Sequence, residues 1–275
     1  MRQSHERTID FDDGAATTLE VWGERGPVFL GVHGITSSRR SWERMAQHFA
    51  PTHRVFAYDQ RGHGDSAAVR GPMSLERSLR DLEAVAAAIG EPIAGLFGHS
   101  WGGAVVLLGA KRIAAERVIA IDPMIHQAPG SWYVDFVDEL RAVFALPEGE
   151  REAAIRDYYA ALAPIEIDAK VHAMRRMTIE PIVELGEMNR VDDGKWDLRP
   201  DLIDYPKPLL LLLADPADSV VTAPDAAFVR ERAGPNLTIE VFAGEGHSLQ
   251  RTAFERFIAS VERFLLTLPP RGSGQ

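Results

Sequence analysis

The chain of 275 residues contains no cysteine, has fewer basic than acidic side chains and has no long hydrophobic run. The absence of cysteine excludes disulfides, thiolate nucleophiles and cysteine-based metal sites. The net charge of -10 argues against nucleic acid or an anionic membrane as a partner, because both favour basic surfaces. The longest aliphatic run, Leu209 to Leu213, is far too short to span a bilayer. The polar N-terminal stretch does not resemble a signal peptide, so we expect a cytoplasmic protein.

Short apolar runs of strand length alternate with amphipathic segments in the first part of the chain. Four of these runs end at a polar residue, namely at His33, Asp59, Ser100 and Asp122. This alternation predicts an α/β fold, with a mostly parallel sheet and helices on both faces. Ligands of such sheets bind outside the carboxyl ends of the strands. The four polar residues are therefore candidates for a functional site.

The pattern changes between residues 124 and 204. Strand-like runs disappear there, and helical segments rich in Ala, Arg and Glu are broken by several prolines. The strand pattern returns at Leu209 and is followed by an amphipathic helix from Phe254 to Leu268. We therefore predict a core formed by residues 1–123 and 205–275, with residues 124–204 inserted as a helical cap.

The segment Gly98-His99-Ser100-Trp101-Gly102 has the pattern G-x-S-x-G. An apolar strand-like run precedes it, and a small, apolar, helix-like run follows it. A serine at such a sharp strand-to-helix turn has its hydroxyl exposed at the top of the sheet, and the flanking glycines avoid collisions with neighbouring backbone. The context therefore favours Ser100 as a nucleophile.

A serine hydroxyl is a weak nucleophile and needs a base that takes its proton. His247 is the best candidate, because Gly244-Glu245-Gly246-His247 follows a predicted strand and precedes the last helix. It also follows Asp122 and Asp218 in the chain, the two candidates for the acid that orients the base. The other interpretation is a loop histidine with a surface hydrogen bond.

Four motifs, and their order along the chain, resemble those of α/β-hydrolase-fold enzymes. They are His33-Gly34 after a strand, the segment from Asp59 to Ser66, the turn at Ser100, and Gly246-His247. Together they cover the chain from about residue 28 to 268. The resemblance is to esterases and lactonases with a serine nucleophile and a helical cap. It implies the chain order nucleophile, acid, histidine.

Two aspartates compete for the role of the acid. Asp218 follows the run from Leu209 to Leu213 and precedes an apolar pair, as the acid does in most of the family, although the turn before it is one residue longer than usual. Asp122 ends the strand after the nucleophile helix, where some members, including certain lactone hydrolases, keep their acid. We favour Asp218, and Asp122 remains the alternative. Asp215 is assigned a structural role.

An oxyanion hole is expected from two backbone N–H groups. One is that of Trp101, directly after the nucleophile, and the other is that of Ile35, with Thr36 as the alternative. Gly34 fits a backbone that approaches the substrate closely. The predicted substrate pocket consists of Gly34, His99, Trp132, Tyr133 and Phe136. In the alternative interpretation His99 packs under the turn, and the cap aromatics form the core of the cap.

These residues predict a serine hydrolase of a hydrophobic, small-molecule carboxylic ester or lactone. The alternatives are a C–C bond hydrolase or a cofactor-free oxygenase on the same fold, or a non-enzymatic ligand-binding relative. Epoxide hydrolases and haloalkane dehalogenases are disfavoured, because they use a carboxylate where Ser100 stands. The sequence has no H-E-x-x-H motif and no phosphate-binding loop, so we expect neither metal nor cofactor.

Overall fold

The computed structural model describes residues 4–128 and 132–266, and it contains one eight-stranded sheet in these ranges. The strand order is β1-β2-β4-β3-β5-β6-β7-β8. Strand β2 is antiparallel to β1 and β4, and the strands from β4 to β8 are parallel. The strands are β1 (His5–Asp10), β2 (Ala16–Trp22), β3 (Val28–Val32), β4 (Arg54–Tyr58), β5 (Ile93–His99), β6 (Val118–Ile121), β7 (Leu209–Leu213) and β8 (Leu237–Val241). The predicted mostly parallel sheet is confirmed.

The described residues also contain ten α-helices. They are α1 (Glu43–Phe49), α2 (Leu75–Ile89), α3 (Trp101–Gly109), α4 (Trp132–Phe144), α5 (Glu148–Tyr158), α6 (Pro164–Met174), α7 (Glu180–Met188), α8 (Ala223–Glu231), α9 (Leu249–Thr252) and α10 (Phe254–Leu266). Helix α2 begins where the hydroxyl of Ser74 accepts the Arg77 N–H and ends at Gly90, whose φ is +74°. Leu268, in the predicted last helix, lies outside the described residues.

Two apolar clusters hold the layers together. The cluster on one face joins α1 and α10 to the sheet through Met45, Phe49, Phe257 and Val261. The cluster on the other face packs α2, α3 and α8 against the sheet and continues into the helices between β6 and β7. This alternation of apolar strands and one-sided helices is what the sequence pattern predicts.

The chain between β6 and β7 forms four helices, α4 to α7, in the part that the structure describes. The ends of this segment pair with each other, because the N–H of Gln127 donates to the carbonyl of Trp196 (2.9 Å) and the N–H of Leu198 to that of Ile125 (2.6 Å). Residues of α4 and α6, and Tyr159 after α5, share a cleft with the residues at the carboxyl ends of the strands. The division into a core and a cap at residues 124–204 stays a prediction.

None of the helices within residues 4–128 and 132–266 combines the length and the apolar character that crossing a membrane requires.

Candidate active site

Ser100 lies at a strained turn between β5 and α3. Its φ of 55° and ψ of -119° are unusual for a residue other than glycine, and such a conformation costs about 1–3 kcal/mol. A Cβ atom on Gly98 would lie 2.3 Å from the carbonyl oxygen of Gly102, and one on Gly102 would lie 2.2 Å from that of Val32. Glycine is therefore required on both sides of the serine, as the G-x-S-x-G pattern indicates.

His247 contacts Asp122 on the loops at the carboxyl end of the sheet. The distance between Nδ1 of His247 and Oδ2 of Asp122 is 2.6 Å. A carboxylate can only accept, so Nδ1 carries the proton and Nε2 is left as an acceptor. The side chain of His247 is 31% exposed and that of Asp122 is fully buried. A histidine oriented by a buried carboxylate is one of the parts of a catalytic triad.

Asp122 is held by a set of donors from the loop after β7. The hydroxyl of Ser219 donates to its Oδ1 at 2.5 Å, and the backbone N–H groups of Ala214 and Val220 donate at 3.1 and 3.0 Å. Asp122 itself has a φ of +38°. A buried carboxylate with this many donors is both satisfied and fixed in orientation.

The preference for Asp218 as the acid does not agree with this geometry. Asp218 is exposed, and its backbone N–H donates to the carbonyl of Asp215 in a tight turn. The following residue, Ser219, reaches the buried carboxylate instead. The longer turn thus displaces Asp218 towards the rim. Asp215 accepts from Gly244 and Ala217, which lower the pKa of its carboxyl, and joins the loops after β7 and β8 as a structural acid would.

His99 connects the turn to the loop of His247. Its Nε2 lies 3.0 Å from the carbonyl oxygen of His247, which can only accept, so Nε2 carries a proton. Burial lowers the pKa of His99 well below its usual value, and the neighbouring His247 lowers it further. A neutral His99 can therefore hold the His247 backbone without adding a charge beside it.

The loop after β3 lies directly against Ser100. A Cβ atom on Gly34 would lie 2.9 Å from Cβ of Ser100 and 3.0 Å from the carbonyl oxygen of His99. Ile35 and Thr36 follow on the side of the cleft, and Thr36 has a positive φ of 57°. Trp101 begins α3, where N–H groups have no acceptor inside the helix. Of the two predicted oxyanion donors, Ile35 lines the same cleft as Ser100, and Trp101 directly follows Ser100 in the chain.

The segment from Asp59 to Asp65 braces this loop. The N–H of Gln60 donates to Nε2 of His33 (3.0 Å), and its side-chain amide donates to the His33 carbonyl. Burial, together with the nearby His63, holds the pKa of His33 well below its usual value. A neutral His33 can accept this hydrogen bond.

The carboxylates of Asp59 and Asp65 lie near His172 in a group that could in principle hold a metal ion. The guanidinium of Arg39 contacts both carboxylates, at 2.5 and 2.8 Å. The positive charge that balances these two carboxylates is thus that of an arginine.

A cleft of about 590 Å³ opens above Ser100. Its lining comes from the strand-end loops and from the helices above them: Ile35, Thr36, His99, Ser100, Trp132, Asp135, Phe136, Glu139, Tyr159, Lys170, Ala217, Asp218, Ser219, Val220, His247 and Ser248. The predicted pocket residues His99, Trp132 and Phe136 are among them. Gly34 lies behind Ser100 instead.

The prediction that Tyr133 lines the pocket is not supported by the geometry. Tyr133 is 1% exposed, and its hydroxyl donates to the carbonyl of Ile182 at 2.6 Å. A Cβ atom on Gly186 would lie 2.5 Å from its ring. Tyr133 therefore points from α4 towards α7, whereas Trp132 and Phe136 of the same helix line the cleft.

Sequence reasoning missed Ser219 and Lys170. Ser219 could have been found from the extra residue in its turn, since the shift moves every following side chain by one position. Lys170 follows the buried Ala169 and precedes the buried Val171, and a lysine in such a run predicts an exposed side chain. No sequence pattern marks it.

Comparison with known proteins agrees with this fold. The chain matches N-formylmaleamate deformylase of Pseudomonas putida with 25% identity over 258 residues, which are 89% of this chain and 90% of that protein. The crystal structure of E-2-(acetamidomethylene)succinate hydrolase superposes with a TM-score of 0.82 at 21% identity, covering 96% of this chain and 99% of that one. The enol-lactonase of Burkholderia xenovorans superposes with a TM-score of 0.73 at 19% identity, over 95% and 100%.

The chain spans at most 65% of the length of several other curated relatives that it matches. The profile of the alpha/beta hydrolase family matches residues 28–260, a range that contains Ser100, Asp122 and His247. The chain therefore belongs to the alpha/beta hydrolase family.

Proposed function

We propose that this hydrolase cleaves a carboxylic ester or a lactone through Ser100, His247 and Asp122. The observation that carries the proposal is the 2.6 Å contact between His247 and the buried Asp122 beside the strained turn of Ser100. A strained serine, an oriented imidazole and a fixed carboxylate are the parts that acyl transfer needs.

The reaction follows from the hydrogen bond between Nδ1 of His247 and Asp122, which leaves Nε2 to face the substrate side. Nε2 accepts the proton of the Ser100 hydroxyl while its oxygen attacks the carbonyl carbon of the substrate. The imidazolium that forms is stabilised by Asp122, and the oxyanion accepts from the N–H groups of Ile35 and Trp101. Collapse of this intermediate expels the alcohol, which takes the proton from His247. Water then attacks the acyl-enzyme with His247 as the base, and the carboxylic acid and the free serine result.

The surroundings of the cleft support a substrate with an apolar part. Trp132 and Phe136 line the cleft, and an apolar cavity of about 240 Å³ adjoins it. Leu140, Ile155 and Met174 line this second cavity, which shares Phe136 with the cleft. An apolar acyl chain or ring could occupy it.

The relatives supply a further argument for the reaction class. An enol-lactonase cleaves an ester bond, and a deformylase removes a formyl group, so both names denote hydrolysis at a carbonyl carbon. Both reactions pass through a tetrahedral oxyanion, which the two backbone donors would stabilise.

Turnover of a substrate panel tests the proposal. Esters, lactones, N-formyl amides and 1,3-diketones are offered to the wild-type enzyme and to Ser100→Ala. We expect turnover of an ester or a lactone, and a loss of about 10⁶-fold in kcat in Ser100→Ala, as for removal of a serine nucleophile. Turnover of the diketones alone would instead support C–C bond hydrolysis, and full activity of the alanine variant would refute the mechanism.

A further inference from the structure

Lys170 is a buried lysine on the wall of the cleft. It lies on α6, is 7% exposed and lines the same space as Ser100 and His247. Its Nζ lies 3.3 Å from the carbonyl oxygen of Thr36 and 3.5 Å from the hydroxyl of that residue. The ring of Tyr159 lies beneath it, with the centroid 4.8 Å from Nζ. Lysine is rarely buried unless an acid pairs with it.

Within residues 4–128 and 132–266, no carboxylate lies within 4.0 Å of the Lys170 ammonium. Its charged neighbours are Arg251 and Glu166, which are both buried. Nε of Arg251 lies 3.5 Å from Oε2 of Glu166, so the one acid of the group lies against the arginine. Burial and Arg251 hold the pKa of Lys170 well below its usual value. Two basic groups therefore share one carboxylate, and a second anion would complete the cluster.

The guanidinium of Arg251 also has N–H groups that are not fully hydrogen-bonded. Nη2 of Arg251 donates to the hydroxyl of Ser37 at 2.8 Å, its Nε has only the ion pair with Glu166, and its Nη1 is buried without a hydrogen-bond acceptor among the described residues. Buried donors without partners are rare, and a water molecule or an ion is one of the partners that such a group can have.

We infer that Lys170 is a specificity-determining residue that binds a carboxylate of the substrate. The inference rests on the proposed function and names its substrate class, an ester or lactone that carries a carboxylate close to the scissile bond. Closeness follows from Thr36, which contacts Nζ and directly follows the proposed oxyanion donor Ile35. A bound carboxylate would give the ammonium the partner that it lacks.

Three acids also line the cleft, namely Asp135, Glu139 and Asp218. All three are exposed, so water and salt screen their charges. Lys170 is buried, where a charge acts through a lower dielectric constant. A carboxylate bound at Nζ would favour the charged form of Lys170, and we expect this buried pair to outweigh the acidic rim for a group bound at its depth.

A matched pair of esters tests the inference. The neutral 4-nitrophenyl pentanoate and the anionic mono-4-nitrophenyl glutarate have acyl chains of the same length. We expect the wild-type enzyme to prefer the glutarate ester. Lys170→Met should lower kcat/KM for that ester about 10- to 100-fold, the range for a hydrogen bond to a charged group. The value of kcat/KM for the pentanoate ester should change little in Lys170→Met. Lys170→Arg should retain the preference for the glutarate ester.

Lys195→Met is the control variant. Lys195 lies, like Lys170, in the chain segment between β6 and β7, but its side chain is 57% exposed and pairs with Asp193 at 3.0 Å. This variant should leave kcat/KM unchanged for both esters. An equal loss for both esters in Lys170→Met would assign Lys170 to holding the Thr36 loop and would overturn the inference. A preference of the wild type for the pentanoate would also overturn it. Thermal unfolding of each variant checks that it is folded, and Lys170→Gln replaces Lys170→Met if the latter is not.

Failure of the proposed function would look different, since neither ester would then be turned over. Calorimetric titration with sodium glutarate decides the inference in that case. Binding that is lost in Lys170→Met would support it, and either no binding or equal binding to both proteins would overturn it.

Discussion

The two walls of the cleft are built differently. The wall formed by the strand-end loops, here the core wall, contains Ile35, Ser100, His247 and the loop around Ser219, and backbone or buried side-chain hydrogen bonds hold it. The wall formed by α4 to α6, here the cap wall, presents Trp132, Phe136, Tyr159 and Lys170, and its helices pack mainly through apolar side chains.

The difference separates two tasks. Hydrogen bonds to backbone fix atoms in direction as well as in distance, as a proton-transfer chain requires. Packed side chains define shape and polarity, which select among substrates. Changes in the core wall should therefore act on kcat, and changes in the cap wall on the choice of substrate or on stability.

The largest expected effect is that of Asp122→Asn in the core wall. An amide in this position stabilises the wrong tautomer of His247 and cannot balance the imidazolium, so kcat should fall by about 10⁴-fold. Asp218→Asn is the control and should change kcat by no more than about twofold, as for an exposed residue. The measurement is turnover of an activated ester. If only Asp218→Asn abolishes activity, the assignment of Asp122 is wrong.

A smaller effect is expected for Gly34→Ala. The new methyl group would lie 2.9 Å from Cβ of Ser100, so the oxyanion loop must move. We expect a loss of about 10²–10³ in kcat, the range for the loss of one oxyanion donor. Gly149→Ala is the control, because a Cβ atom there meets nothing within 4 Å. Unchanged kcat in Gly34→Ala would show that this loop does not take part in catalysis.

Ser219→Ala removes the hydroxyl that donates to Oδ1 of Asp122 at 2.5 Å. The remaining donors still orient the carboxylate, so kcat should fall only about tenfold, as for the loss of one hydrogen bond to a charged group. Steady-state kinetics with the same ester measures this. A loss as large as that of Asp122→Asn would mean that Ser219 acts in some way other than by supporting the acid.

In the cap wall, Tyr133→Phe should leave kcat and KM nearly unchanged. It removes the donor to the carbonyl of Ile182, so the free energy of unfolding should fall by about 1–3 kcal/mol. Phe136→Ala, on the same helix but at the cleft, should instead raise KM for an apolar ester. Denaturant unfolding and steady-state kinetics of both variants test the contrast. A change in KM for Tyr133→Phe would place this residue in substrate binding after all.

The strand, turn and helix around Ser100 could be predicted from the sequence, because their features are local. The glycines around Ser100 exclude side chains, and the apolar runs before and after it define a strand and a helix. The position of His247 after its strand follows in the same way. Each of these depends on a few neighbouring residues and on the order of elements along the chain.

The acid and the cap wall could not be predicted in this way. Asp122 and Asp218 both follow parallel strands, and only the path of the turn from Asp215 to Ser219 decides which of them points inward. Tyr133 and Phe136 are three residues apart on α4, and the choice between core and cleft depends on where α7 packs. Such long-range packing leaves no mark in a local pattern.

The central claim is that Ser100 is a nucleophile activated by His247, and covalent labelling tests it most directly. The folded protein is treated with a fluorophosphonate, and the modified peptide is identified by mass spectrometry. The account predicts rapid, stoichiometric modification of Ser100 that is slowed strongly in His247→Ala and absent in Ser100→Ala. Folded wild-type protein that stays unmodified, or that is modified at another residue, would contradict it.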